Sequence, residues 1–169
     1  MTTATAGATP DFDSAGPLRT DDDVLRRVDL LLDENARQLR SVLLLFLDAD
    51  DVQLPVVVPI DDVPDRPDPM LAGSACWLIA EALAPHAGDG SAIVVLTRPG
   101  AVQPDDTDRR WSQLLLVAAR QHRAPIRIIC LATPGGVRWL SGGSRPAGPA
   151  DGLPRPTRSY SGQHHQLAP

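Results

Sequence analysis

The sequence predicts an α/β fold, a three-layer-like mixed sheet of about five strands with three helices, and three observations carry that prediction. Short apolar runs at 42–47 and 93–96, and a third at 126–131 broken only by Arg127, suit strands covered on both faces. Segments between them repeat apolar residues at the three- and four-residue spacing of amphipathic helices. The resulting order (helix, strand, strand, helix, strand, helix, strand, strand) gives one mixed sheet rather than separate helical and sheet halves.

Each element has its own local signature. Thr20 before Asp21, Asp22 and Asp23 is a cap residue followed by acids that suit a helix amino terminus. Leu25, Val28, Leu32, Ala36 and Leu39 then predict an amphipathic helix over 21–39. After the strand at 42–47, the aspartates of 48–51 make a turn into a second strand at 52–60. There Pro55 and Pro59 demand an edge or irregular position. Asp68-Pro69 reads as a cap followed by proline in the first helical position, and starts a helix that Pro85 and Gly88 close. A third strand covers 91–97. A third helix runs from about Asp105 to His122, with Trp111, Leu114, Leu115, Ala118 and Ala119 on one face. Strands at 126–131 and 137–140 flank a Pro134-Gly135-Gly136 turn.

The folding core is expected to span 21–140 as a single α/β domain. Residues 1–20 and 141–169, rich in Thr, Ser, Gly, Pro and Ala without apolar periodicity, are expected to be disordered tails.

The chain is lysine-free, so all 16 of its basic residues are arginine. A Schiff-base lysine, a phosphate-loop lysine and a lysine general base are thereby excluded. A net charge of −5, with acids clustered at 21–23, 48–51 and 61–68, opposes extended contact with nucleic acid, which needs a basic face. Arg145, Arg155 and Arg158 near the carboxyl end are set against Asp151 alone, and could attract an acidic partner weakly. Cys76 and Cys130 lie far apart in apolar segments and read as buried free thiols of a reducing compartment. The first 20 residues have no leader pattern, and the apolar runs are too short to span a membrane; a soluble cytoplasmic protein is expected.

The junction over 93–108 is the most informative stretch. A buried strand, a Pro99-Gly100 turn and an acid-rich helix start meet where α/β domains usually place ligands. The pattern Leu45-Phe46-Leu47-Asp48, then Leu96-Thr97-Arg98-Pro99-Gly100, then Pro104-Asp105-Asp106-Thr107-Asp108, resembles the JAMM (MPN-type) metalloprotease-like domain, in particular its RadC-like bacterial branch. That family carries His-x-His-Pro-Ser-Gly followed by Pro-Ser-x-x-Asp at a helix start. Pro99, Gly100, Pro104 and Asp108 match once one residue is deleted before Gly100, over a region of about 40–140. The two zinc-binding histidines are replaced by Leu96 and Arg98, and only the Asp108 position keeps a possible ligand. Since a catalytic zinc needs three protein ligands, the resemblance implies a pseudoenzyme that has kept the scaffold, with no metal, cofactor or catalytic residue. Asp108 also has a local role: with Asp105 as cap it occupies the third helical position, suited to a reciprocal capping bond.

Other constellations are weaker. Asp48-Ala49-Asp50 imitates the first motif of haloacid-dehalogenase-type phosphatases, but the following glycine, Thr/Ser and the phosphate-holding lysine are missing, and a turn explains it as well. His86, His122, His164 and His165 have no zinc or dyad spacing, and no Gly-x-Ser-x-Gly elbow occurs. Trp77, Trp111 and Trp139 read as core anchors, any one left exposed marking an interface. The expected function is a non-enzymatic binding or protein-interaction domain, through an unknown protein partner or self-association, with the first helix as one possible interface. The alternative is a carboxylate- or phosphate-binding protein, or a hydrolase, using Arg98, Asp105 and Asp108 as ligand-binding residues.

Overall fold

A computed structural model of the chain describes residues 16–86 and 89–142. Both histidines of the tail and the arginines 145, 155 and 158 lie outside the described residues, as does most of each expected tail.

The elements run α1 (Asp21–Leu31), β1 (Ser41–Leu47), β2 (Gln53–Ile60), α2 (Pro69–Leu83), β3 (Ser91–Thr97), α3 (Asp106–His122), β4 (Ile126–Thr133) and β5 (Gly136–Gly142). The five strands form one mixed sheet in the order β2-β1-β3-β4-β5. β1 is antiparallel to both neighbours, β3 and β4 are parallel, and β5 returns antiparallel on β4. This is the predicted α/β class, with three helices on a five-stranded mixed sheet.

Strand alternation sorts the core into two layers. Val42, Leu44 and Phe46 of β1 join Val94 and Leu96 of β3 in the core under α2 and α3. Leu45 and Leu47 join Ile93 and Val95 on the opposite face, where Val24 and Val28 of α1 meet them. The two faces are unequally covered. α2 and α3 pack side by side on one, whereas α1 alone lies on the other and leans toward β4 and β5. β2 sits at the sheet edge, where Pro55 and Pro59 were expected, and both are exposed.

Three local findings depart from the sequence reading. The first helix ends at Leu31 instead of 39, because Arg37 folds back and satisfies the last carbonyls. Its Nη2 donates to the Asp29 carbonyl at 2.7 Å and its Nε to the Leu32 carbonyl at 3.2 Å. The apolar spacing at Ala36 and Leu39 therefore continues no helix, and Leu39 is exposed. Packing against the domain is also seen before residue 21. Leu18 is buried under α1, and its N–H donates to the Asp51 carbonyl at 2.8 Å. At the other end β5 extends two residues past 140, to Gly142.

The turns behave as their residues require. Asp48 Oδ1 accepts from the N–H groups of Asp50 and Val52, both at 2.9 Å, and Asp51 takes a φ of 64°. Asp68 caps α2 by accepting from Met70 N–H at 2.8 Å, with Pro69 opening the helix. Among the described residues, no helix is long and apolar enough to cross a membrane.

Candidate functional site

Arg98 follows the end of β3, continuing its parallel pairing through a 3.3 Å bond from its N–H to the Ala132 carbonyl. That position directs the side chain into the β3–α3 loop, where it is only 6% exposed. It is therefore a buried arginine, not a surface one. A guanidinium has five N–H donors in a fixed fork, and each has an acceptor here. Nε donates to Asp108 Oδ1 at 2.9 Å, and Nη2 donates to Asp108 Oδ2 at 2.7 Å. Nη1 donates to the Pro99 and Ala101 carbonyls, both at 3.0 Å, and Nη2 also reaches the Gln103 carbonyl at 3.0 Å. The loop is thus wound around its own arginine.

Gly100 makes the winding possible. Its φ of 96° lies in the left-handed region, and a Cβ there would stand 3.4 Å from Arg98 Nη1. On the far side of the cluster, Asp105 and Asp108 form the predicted capping box. Asp105 Oδ1 accepts from Asp108 N–H at 2.8 Å, and Asp108 Oδ2 accepts from Asp105 N–H at 2.9 Å. Asp108, at 2% exposed, thus serves the arginine and the helix start together.

The electrostatics follow from this packing. The hydrogen bonds to Asp108 raise the Arg98 pKa, outweighing the opposite effect of burial. For Asp105, burial pushes the carboxyl up, but bonds from the Asp108 and Thr107 N–H groups and the nearby Arg98 charge, 3.8 Å away, hold it below the usual range. The structure brings Arg98, Asp105 and Asp108 together. A ligand carboxylate or phosphate would have to displace one of the chain's own acceptors to reach the guanidinium. The helix amino terminus is likewise occupied by the chain's own carboxylate.

Other chemistry-bearing residues remain scattered. Leu96, at the first of the two positions where the resemblance places a zinc-binding histidine, is buried in the core under α2 and α3. His86 and His122 are both exposed and sit at helix ends. Among the described residues, no group of three or more His, Cys, Asp and Glu side chains is placed to hold a metal ion. Cys76 and Cys130 are free and buried, and burial pushes their thiols up to about 11 and about 12.

Apolar surface is the other kind of site present. A pocket of about 300 Å³ opens between the end of α1 and the β1–β2 hairpin, where α1 leaves the sheet uncovered. Leu31 and Leu32, Leu43 and Leu45, and Pro55 and Val57 line it, so it offers no polar side chain to orient a ligand. The second surface is the outer side of α2. Of the three tryptophans only Trp111 is a core anchor; Trp77 and Trp139 are 55% and 50% exposed. Met70 is 82% exposed, seven residues before Trp77 and on the same side of α2. The sequence carried a signal that pattern reading missed: Glu81 is the sole charge in the fifteen residues of α2. A helix apolar all round is normally buried all round, yet one side of this one faces solvent.

Compared with protein-family models and with curated proteins, the chain matches none.

Proposed function

We propose that this chain is a non-enzymatic protein-interaction domain that uses the outer face of α2, carried on a scaffold resembling a JAMM-like domain without its zinc ligands. The observation that supports this reading best is the exposed, almost uncharged α2 surface with Met70 and Trp77 on it. Interface cores are depleted in charge and enriched in tryptophan and methionine. The Arg98 cluster supports it from the other side, since its donors are all committed to the loop and to Asp108. Two buried free thiols suit a reducing compartment such as the cytoplasm.

The test is a photo-crosslinking side chain placed at position 77, with position 113 of α3, also exposed, as the control. The reading expects a discrete protein adduct from position 77 in producing cells and none from 113. No adduct from 77 with any protein, the chain itself included, overturns it.

A further inference from the structure

We infer that the occupant of the α2 face is a second copy of this chain, packed antiparallel about a two-fold axis at Trp77. The inference rests on the proposed interaction role of this face and names its partner. Met70, Ser74, Trp77, Glu81 and Ala84 make up the exposed stripe, recurring at three- and four-residue spacing along α2 and the turn that follows.

The stripe is self-complementary. With the axis at Trp77, residues equally distant from it on opposite sides come face to face. Glu81 of one copy, four residues after Trp77, then meets Gly73 of the other, four residues before it. Gly73 is where the end of α3 touches α2: a Cβ built there would lie 3.5 Å from His122 Nε2. The lone carboxylate of α2 is thus carried onto the exposed imidazole of the second copy, and the same contact repeats by symmetry. Met70 meets Ala84, and Ser74 meets Ala80, so each larger group faces a smaller one. Only the two Trp77 rings meet their own kind, at the axis, where offset stacking of aromatic rings is favourable. A parallel arrangement would instead place the two Glu81 carboxylates side by side.

Sedimentation equilibrium on the full chain tests this directly. The expected mass is twice the 18.0 kDa of one chain. Trp77→Glu and Ser74→Arg, both at exposed positions, should each yield monomers with an unchanged circular-dichroism spectrum. Glu81→Arg and His122→Glu should each weaken the dimer at least about tenfold, and the two together should restore it, because the swap re-forms both contacts with donor and acceptor exchanged. A monomer at the highest soluble concentration overturns the inference. So does a dimer indifferent to Trp77→Glu, or a charge swap without rescue. If the chain is monomeric while position 77 crosslinks to a different protein, the inference fails and the interaction reading stands. If position 77 crosslinks to nothing, both fall.

Discussion

The β3–α3 loop and the outer face of α2 belong to the same domain, and they are opposites. The loop is dense in charge, yet Arg98, Asp105 and Asp108 turn their polar atoms on one another and on the loop backbone. The α2 face is nearly without charge, yet it leaves Met70 and Trp77 in water. Charged residues at a strand end look like a site in a sequence, and apolar residues in a helix look like core. Here the charged group is internally complete and the apolar helix is not. What remains available for a partner is the surface whose interactions are unmet, whatever its polarity.

The largest effect should come from breaking the loop cluster. Asp108→Ala leaves the Arg98 guanidinium buried without its carboxylate and removes half of the α3 capping box. Breaking a buried ion pair from one side costs about 3–5 kcal/mol, which urea unfolding would read as a lowered midpoint. Arg98→Ala should cost as much, by leaving Asp108 buried alone. The combined Arg98→Met and Asp108→Leu variant should cost clearly less than the two losses added. It should still fall short of the wild type, because the Pro99, Ala101 and Gln103 carbonyls lose their donor. Additive losses would show that the pair is not coupled, and that the loop holds its shape without the arginine.

The buried thiols sharpen the comparison from within the core, since Cys76 lies on the inward side of α2. A thiol with an ordinary value near 9.0 in the unfolded chain is held up to about 11 at Cys76 and about 12 at Cys130. A raised folded pKa contributes stability in full below the unfolded value and loses it as pH rises. Each thiol should therefore cost about 1.4 kcal/mol per pH unit above 9.0, until about 11 for Cys76 and about 12 for Cys130. Denaturation midpoints should fall over that window, and the fall should be shallower in Cys76→Ala. A fall equally steep in Cys76→Ala and in the wild type would mean that the inward side of α2 admits water.

Much of this architecture was legible in the sequence because local chemistry and tertiary context agree. Apolar runs marked β1, β3 and, around Arg127, β4, and Asp68-Pro69 and Asp105 marked the capping residues of α2 and α3. The reading failed where a distant side chain decided the outcome. Arg37 ends α1 by reaching back to carbonyls that periodicity treated as helical. At the candidate site, the sequence brought Arg98, Asp105 and Asp108 together but could not count acceptors, and the loop carbonyls that complete the guanidinium carry no side-chain signature. Trp77 and Trp111 are the same residue type on helices of similar length. Their exposures of 55% and 1% depend on which side of each helix meets the sheet.

A smaller effect is expected at the cap. Asp105→Ala removes the side-chain acceptor for Asp108 N–H, worth about 1 kcal/mol for such caps. Because the folded pKa of Asp105 is lowered, its contribution is present above the ordinary carboxyl value of 3.8 and disappears as pH falls through the lower folded value. The wild-type and Asp105→Ala midpoints should therefore differ at neutral pH and converge in strong acid. A constant gap down to low pH would assign the loss to the helix backbone rather than to the carboxylate.

The smallest effect on folding should come from the residue argued to matter most for function. Trp111→Ala empties a fully buried site between α3 and the sheet, and such truncations cost about 3–5 kcal/mol. Trp77→Ala, measured at concentrations where the chain is monomeric, should change stability by no more than about 0.5 kcal/mol, as surface substitutions do. The two tryptophans thus form an internal control on one protein. If Trp77→Ala lowers the monomer's midpoint as Trp111→Ala does, the indole is fastening α2 to the domain, and its exposure says nothing about a partner. If it leaves the midpoint in place, a large apolar ring is being kept in water at no gain to the fold, and selection for a contact outside the monomer is the physical reason to keep it.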